Sequence, residues 1–433
     1  MCESASTPPA VIAATSPWRT ARAKPDLKIL RRVRPAGAGG ADVATRAKMV
    51  VRGGGRRRYA AAMRVLAYAD SLEFSGAERA FTLLVKGLGE RAGFDLAAVA
   101  PAGRLADELG ACCSAVHPLP RVPVRAGLSA CDPRLRRGAR AAARAAGAAV
   151  VLVNLPSAQA GTSGLAGGIP SVAFLHIASS LADAGFRLGA VRDRLAAPRV
   201  RNATRIVVPA PSVRRHLWER WHVPAARVAW APPPFTELGT MPRAQARALL
   251  GVGDERRLLG VIGRLNIKHK GQDVLLRALA ELCRDGVETD LVIAGTGRDG
   301  ELLSALAGEL GVGARVHFLG ALARPEALYC AVDALVIPSR FEGLPLVALE
   351  ALALGVPGIA SAVDGLADVW PEEWLVPAGD AAGLAGALAA LARSDPGALR
   401  ARAREHWAEV APVFGGGTVE RFAQELELAR GAG

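Results

Sequence analysis

The feature that most limits how this chain can fold is a strand–helix alternation that runs twice and is broken once. From Met63-Arg64-Val65-Leu66-Ala67-Tyr68-Ala69-Asp70 onward, short apolar runs alternate with Ala- and Leu-rich helical stretches. The spacing predicts strands at 64–69, 95–100, 149–153, 171–175, 204–208 and 227–231, with helices such as Glu78–Leu88 between them. Ala231-Pro232-Pro233-Pro234-Phe235 then interrupts the pattern. Three successive prolines continue neither a helix nor a central strand, so an interdomain hinge is expected there. The alternation resumes with strands at 257–264, 290–294, 315–318, 333–338, 356–360 and 374–377. Helices are expected at 242–250, 272–283, 300–310 and 345–354, and then at 380–393, 396–409 and 417–430. Such alternation implies parallel sheets covered on both faces. The expected class is α/β, with two Rossmann-like, doubly wound domains at 63–235 and 236–416 facing across a cleft. The helix at 417–430 is allowed to pack back on the first domain. In such sheets ligands bind beyond the carboxyl ends of the strands.

Composition narrows the partners. The chain has 433 residues, 51% of them hydrophobic and 22% charged, which supports a sizeable core and excludes a wholly disordered protein. The net charge of +14 invites a nucleic-acid partner. However, residues 1–62 hold 13 Lys and Arg against three Asp and Glu, leaving 41 against 37 for the rest. The basicity therefore sits in a tail, and no nucleic acid is expected. That tail, rich in Pro, Gly, Ala and Arg, reads as a disordered basic extension. Met63 as the natural start and a targeting peptide are both compatible with it. Cysteines at 2, 112, 113, 131, 283 and 330 form no Cys-x-x-Cys pair, so reduced thiols, a cytoplasmic setting and no metal site are expected. The uncharged stretch 145–182 is broken by Pro156, Gly161, Gly164, Gly167, Gly168 and Pro170. It reads as two buried strands, not a membrane span.

Five candidate sites stand at predicted strand ends. Phe74-Ser75-Gly76-Ala77-Glu78 follows the first strand. Ser75 with Glu78 three residues on makes a capping box, and Gly76 lets a ligand approach a helix N-terminus that favours anions. Gly263-Arg264-Leu265-Asn266-Ile267-Lys268-His269-Lys270-Gly271 brings four potentially cationic groups to one loop. Arg264 and Lys270 there are suited to neutralise the growing charge of a diphosphate leaving group. Pro338-Ser339-Arg340-Phe341-Glu342-Gly343-Leu344-Pro345-Leu346 leads into an apolar helix that carries Glu350. The two carboxylates, eight residues apart, are separated by up to ~12 Å along a helix, which suits two points of one extended polar ligand. Free amides at this helix start, at Gly343, Leu344 and Leu346, can hold phosphate. His176 ends the strand at 171–175 and reads equally as a structural residue or as one facing the cleft. Ala294-Gly295-Thr296-Gly297 is a tight turn at another strand end, bordering the ligand or serving only as a turn.

Taken together, these motifs resemble the retaining glycosyltransferases of family four, with the two-Rossmann GT-B fold, over residues 64 to about 425. Glu342 and Glu350, with seven residues between, look like the family's E-x(7)-E signature, and Arg264 with Lys270 like its Arg/Lys pair. Phe318-Leu319-Gly320 and Ala353-Leu354-Gly355-Val356-Pro357 fall in the family's order. The resemblance implies an acceptor domain followed by a nucleotide-sugar donor domain, no cofactor and no metal. It further implies that Arg264 and Lys270 stabilise the diphosphate, Glu350 accepts from the ribose hydroxyls, and Glu342 contacts the donor sugar. Gly76 would lie against the diphosphate and His176 near the sugar. The implied partners are a nucleotide-sugar donor and a glycan, lipid-linked or small-molecule acceptor. Sugar-nucleotide epimerases share this fold, and a non-catalytic nucleotide-sugar-binding protein is a further alternative. Three departures stand out: Ser75-Gly76 replaces two glycines, Pro232-Pro233-Pro234 replaces an Asn-Gly turn, and Asp368 stands where Glu is commoner. The stretch Arg187–Arg201, with Arg192, Arg194 and Arg199 around Leu188, Val191 and Leu195, reads as a solvated basic helix or as one touching anionic lipid at the inner membrane face.

Overall fold

The computed structural model describes residues 62–122, 132–156, 168–179, 182, 188–253 and 255–432. The predicted N-terminal extension lies outside these residues save for its last position. So do Arg187 and the side chains of Arg192, Leu195 and Arg199 in the basic helix.

Two parallel sheets organise the described chain. The first comprises β1 (Met63–Tyr68), β2 (Phe94–Pro101), β3 (Ala115–Leu119), β4 (Val150–Leu155), β5 (Ser171–Leu175), β6 (Arg205–Val208) and β7 (Val228–Trp230). Its order is β3-β2-β1-β4-β5-β6-β7. The second comprises β8 (Arg257–Ile262), β9 (Thr289–Ala294), β10 (Val316–Gly320), β11 (Ala334–Ile337), β12 (Gly358–Ser361) and β13 (Leu375–Val376), ordered β10-β9-β8-β11-β12-β13. Every pairing is parallel. Strands β4 and β5 are buried at every residue, as a sheet covered on both faces requires. This is the α/β, doubly wound, two-sheet class expected from the alternation.

Two elements depart from the sequence reading. Strand β3 was not among the expected strands. It is a partly exposed edge strand containing His117 and Pro118, so it lacks the apolar run of its neighbours. The helix expected to end at 409 continues to Phe414, past Pro412. So close to a helix end, a proline removes little of the hydrogen-bond ladder.

The topology fixes where a ligand can sit. In each sheet the strand order reverses beside one strand, between β1 and β4 and between β8 and β11. A crevice opens beyond the carboxyl ends at such a switch point. The loops there are 69–75 after β1, 263–266 after β8 and 338–345 after β11. The final helix, Thr418–Gly431, buries Phe422, Ala423, Leu426 and Ala429 in the core of the first sheet. Its Phe422 ring meets Phe174 edge-on at 4.8 Å, and the Thr418 hydroxyl donates to the Pro232 carbonyl at 2.8 Å. The two chain crossings between the lobes are thus bound to each other.

Candidate functional site

The second sheet contributes two interlocked loops. The 263–271 loop is shaped from within: Asn266 accepts from the His269 amide at 3.2 Å and caps the short helix Ile267–Lys270, while Gln272 donates to the Arg264 carbonyl at 2.8 Å. Gly295 sits against it with φ +136°, and a Cβ there would fall 1.9 Å from the Gly263 oxygen, so only glycine fits. Arg340 clamps the neighbouring loop down. Its amide donates to the His269 carbonyl at 2.9 Å, and its guanidinium reaches the Ile267 carbonyl at 2.6 Å and both oxygens of Asp273 at 2.7 and 2.9 Å.

These clamps bring Lys270 onto Glu342, whose Oε1 accepts from the lysine ammonium and from the Ser339 hydroxyl, the latter at 2.7 Å. Glu342 is only 4% exposed. Burial alone would raise its carboxyl, but Lys270 and the nearby His269 outweigh burial and hold it well below the usual range. His269 stacks flat on Phe341 at 4.4 Å. Burial and the Lys270 charge push its imidazole down, so it is neutral near pH 7. Of the four potentially cationic groups on this loop, His269 is the one whose charged form burial disfavours.

Glu350 follows on the helix Leu346–Ala353 and is 2% exposed. Its Oε1 accepts from Arg79 Nη1 at 2.7 Å and its Oε2 from the Tyr329 hydroxyl at 2.6 Å. Burial and the carboxylate raise the Tyr329 phenol well above its ordinary range, so it stays a donor. Arg79 belongs to the first lobe, on the helix Gly76–Gly89, whose start carries the predicted capping box: the Ser75 amide and hydroxyl reach Glu78 Oε2 at 3.0 and 2.5 Å.

A second cross-lobe pair joins Arg264 Nη1 to Glu73 Oε2 at 2.9 Å. The Arg264–Glu73 pair borders a cleft of about 700 Å³, lined from the first lobe by Glu73, Phe74, Ser75 and Gly76. The opposite wall comes from Gly263, Arg264, Gly295 and their neighbours. Elsewhere the lobes touch at backbone distance: a Cβ on Gly343 would lie 1.7 Å from the His176 carbonyl oxygen. The Leu346 side chain joins the first lobe's core cluster. Farther along, Asp368 accepts from the Ser212 amide at 2.8 Å, so a second-lobe carboxylate satisfies a donor at the start of the first-lobe helix Pro211–Trp221. Asp364 accepts from the Ser179 hydroxyl at 2.9 Å.

At the head of β5, His176 is turned onto Asn154 Oδ1 at 2.9 Å and against Phe174 at 4.0 Å. Burial lowers its pKa to about 3, so the ring is neutral. At the head of β1, burial raises the Asp70 carboxyl to about 6, against the lowering effect of the Tyr68 hydroxyl bond at 3.2 Å.

The cleft wall includes four of the predicted residues, Gly76, Gly263, Arg264 and Gly295. Lys270 and Glu342 meet each other, and Gly343 meets the His176 backbone, but none of these four is among the residues lining the cleft, nor are Leu344, Leu346 and Glu350. Arg79, Tyr329, Ser339 and Glu73 were missed. Arg79 carried a signal, since a cation in the first turn of a helix opposes the macrodipole and needs a partner. Tyr329 carried another, as one of only three tyrosines in the chain. Among the described residues no cluster of His, Cys, Asp and Glu is arranged to hold a metal ion, and no helix is long and apolar enough to cross a membrane.

Two parallel-sheet lobes with loops facing each other at their switch points define a class of α/β proteins whose ligands sit beyond the carboxyl ends of the strands. Within that class, residues 256–394 match the family described as glycosyl transferases group 1, and residues 74–235 match glycosyltransferase family 4. The chain belongs to these glycosyltransferases. It is 36% identical over 178 residues to a D-inositol 3-phosphate glycosyltransferase of Mycolicibacterium gilvum, covering 39% of each chain. It is also 36% identical over 137 residues to an uncharacterized glycosyltransferase of Methanocaldococcus jannaschii, covering 30% of this chain and 35% of that one. The matched stretches thus span little more than a third of these curated relatives. In fold, the chain is similar to a sucrose-phosphate synthase from Thermosynechococcus elongatus (TM-score 0.70, 21% identity, 86% of this chain and 100% of that one). It is also similar to HepE from Anabaena, solved with UDP-glucose (TM-score 0.68, 19% identity, 86% and 100%).

Proposed function

We propose that this protein moves a hexose-type sugar from a nucleotide diphosphate sugar to a glycan, lipid-linked or small-molecule acceptor, retaining the anomeric configuration and using no metal. One observation carries this reading: Arg264, with Lys270 close by, stands at the switch point of the second sheet, across a 700 Å³ cleft from the Gly76 helix start. As the sugar–phosphate bond breaks, negative charge grows on the diphosphate. A guanidinium fork and an ammonium fixed beforehand stabilise that charge without reorganisation. Lys270 has three N–H donors, so it can serve a phosphate while still holding Glu342. The amides at Gly343, Leu344 and Leu346 and the start of the Gly76 helix supply further anion contacts. In this scheme Glu342, ionised and anchored, accepts from hydroxyls of the sugar, and Glu350 accepts from the ribose. His176, neutral at working pH, takes part by hydrogen bonding and not as a proton carrier. The same fold holds UDP-glucose in HepE, which supports a nucleotide-sugar donor.

The test is a panel of UDP-, GDP- and ADP-sugars with candidate acceptors, read by release of nucleoside diphosphate, with and without EDTA. Acceptor-dependent release, unaffected by EDTA and giving a product of unchanged anomeric configuration by NMR, is expected. Conversion of the donor without acceptor would identify an epimerase, and binding without turnover across the panel a non-catalytic protein. A cytoplasmic setting with peripheral contact at the inner membrane face belongs to the same proposal. Co-sedimentation with anionic liposomes at low salt tests it.

A further inference from the structure

We infer that Arg79, on the first lobe, is a positioning residue that sets selectivity for the ribose of the donor by holding Glu350. The inference rests on the reading of Glu350 as the ribose acceptor. It adds a residue from the opposite lobe, 271 positions away, that decides how that acceptor is presented.

The two Glu350 oxygens are held from two directions. Tyr329, fully buried, donates to Oε2 at 2.6 Å, and Arg79, on a helix of the first lobe, donates to Oε1 at 2.7 Å. A carboxylate in an apolar helix that is 2% exposed is costly without a charged partner. No other ion pair reaches Glu350 among the described residues, so Arg79 supplies the compensating charge. Each carboxylate oxygen accepts more than one hydrogen bond. Glu350 therefore keeps acceptor capacity beside each anchor, and the anchors fix its plane. A vicinal diol needs two acceptors at set spacing and orientation, which a carboxylate held at both oxygens provides. Arg79 is itself placed rigidly. Its helix begins at the capping box of Ser75 and Glu78, and the first residue of that helix, Gly76, lies in the cleft wall. The residue that orients the ribose acceptor is thus on the same helix start that faces the diphosphate.

The experiment measures calorimetric binding of UDP, GDP and ADP, and of their 2′-deoxy counterparts, to the full chain and to its R79A, R79K and E350A variants. Circular dichroism and melting confirm that each variant folds. The wild type is expected to favour the ribonucleotide of its preferred base. Loss of a charge-assisted hydrogen bond corresponds to about a tenfold weakening. R79A should weaken ribonucleotide binding by about that factor and leave the deoxynucleotide nearly unchanged, so the ratio collapses. R79K should restore part of the ratio. A merely structural role would weaken both nucleotides alike. Equal weakening, or an unchanged ratio in R79A while E350A abolishes it, overturns the role of Arg79 and leaves the donor-site reading intact. A wild type that binds without discriminating the 2′-hydroxyl overturns the inference alone, and one that binds none of the six overturns the donor-site reading with it.

Discussion

Replacing Lys270 by Met keeps the aliphatic stem and removes the charge that Glu342 depends on. Glu342 is 4% exposed, and the Lys270 side chain is 21% exposed. Breaking a buried pair by removing one partner costs about 3–5 kcal/mol, and the partial exposure of Lys270 places this case near the lower end, at ~3 kcal/mol. At a urea slope of about 3 kcal/mol per molar, the unfolding midpoint falls by roughly 1 M. The double variant K270M/E342Q removes the stranded charge and keeps the polar contact to Ser339, so it should regain most of that loss. The pH dependence has a definite sign. In the wild type the Glu342 pKa is depressed below its ordinary 4.5, so its stabilisation is present above that pH and is lost as pH falls. In K270M, burial is opposed only by the neighbouring His269 and no longer by the lysine charge, so the carboxyl rises and the variant gains stability as pH falls and the proton is taken up. The deficit of K270M against wild type is therefore largest at pH 8 and narrows towards pH 5. Urea unfolding of the four members of the cycle, at pH 5, 6.5 and 8, measures this directly. A double variant no more stable than K270M, or a deficit that widens on acidification, would refute the argument that Glu342 is held ionised by Lys270.

Three further outcomes are expected. Arg264→Ala should lower kcat about 10²–10³-fold, as for a lost oxyanion donor. Its exposed pair with Glu73 contributes at most ~1 kcal/mol, so melting should be unchanged. Gly343→Ala puts a methyl group 1.7 Å from the His176 carbonyl, where a carbon–oxygen contact needs about 3.3 Å, so the lobes must part by roughly 1.5 Å. Turnover should then collapse while each lobe remains folded, as read by kcat and circular dichroism. Asp70, raised from 3.8 to about 6 by burial, favours folding below its unfolded value and loses that stability as pH rises through 6. Asp70→Asn should therefore gain up to about 3 kcal/mol relative to wild type at pH 7 and little at pH 4, measured by denaturant titration.

The alternation of apolar runs, punctuated by Pro232-Pro233-Pro234, was enough to give two doubly wound sheets, because a strand buried on both faces has no room for polar residues. It failed at β3, where an edge position lets Pro118 and His117 stand in a strand. The strand-end motifs were legible for a related reason. Glycines, caps and clustered charges are local chemistry, and a strand end at a switch point is a predictable place. Gly76, Gly263, Arg264 and Gly295 line one cleft in the structure.

What the chain order could not reveal is which charge meets which. Arg79 lies 271 positions from Glu350, and Glu73 is similarly remote from Arg264; neither pairing has a period or a spacing to betray it. Protonation was hidden too. His269 is potentially cationic by residue type, and only the fold shows that burial disfavours its charged form, because desolvation is a property of surroundings and not of residue type. Local order determined the two sheets and the loops at their ends. Only the tertiary fold, within the second lobe for Lys270, Glu342 and His269 and between the lobes for Arg79 and Arg264, decided the electrostatics of those loops, because Coulomb interactions and burial depend on distance in space.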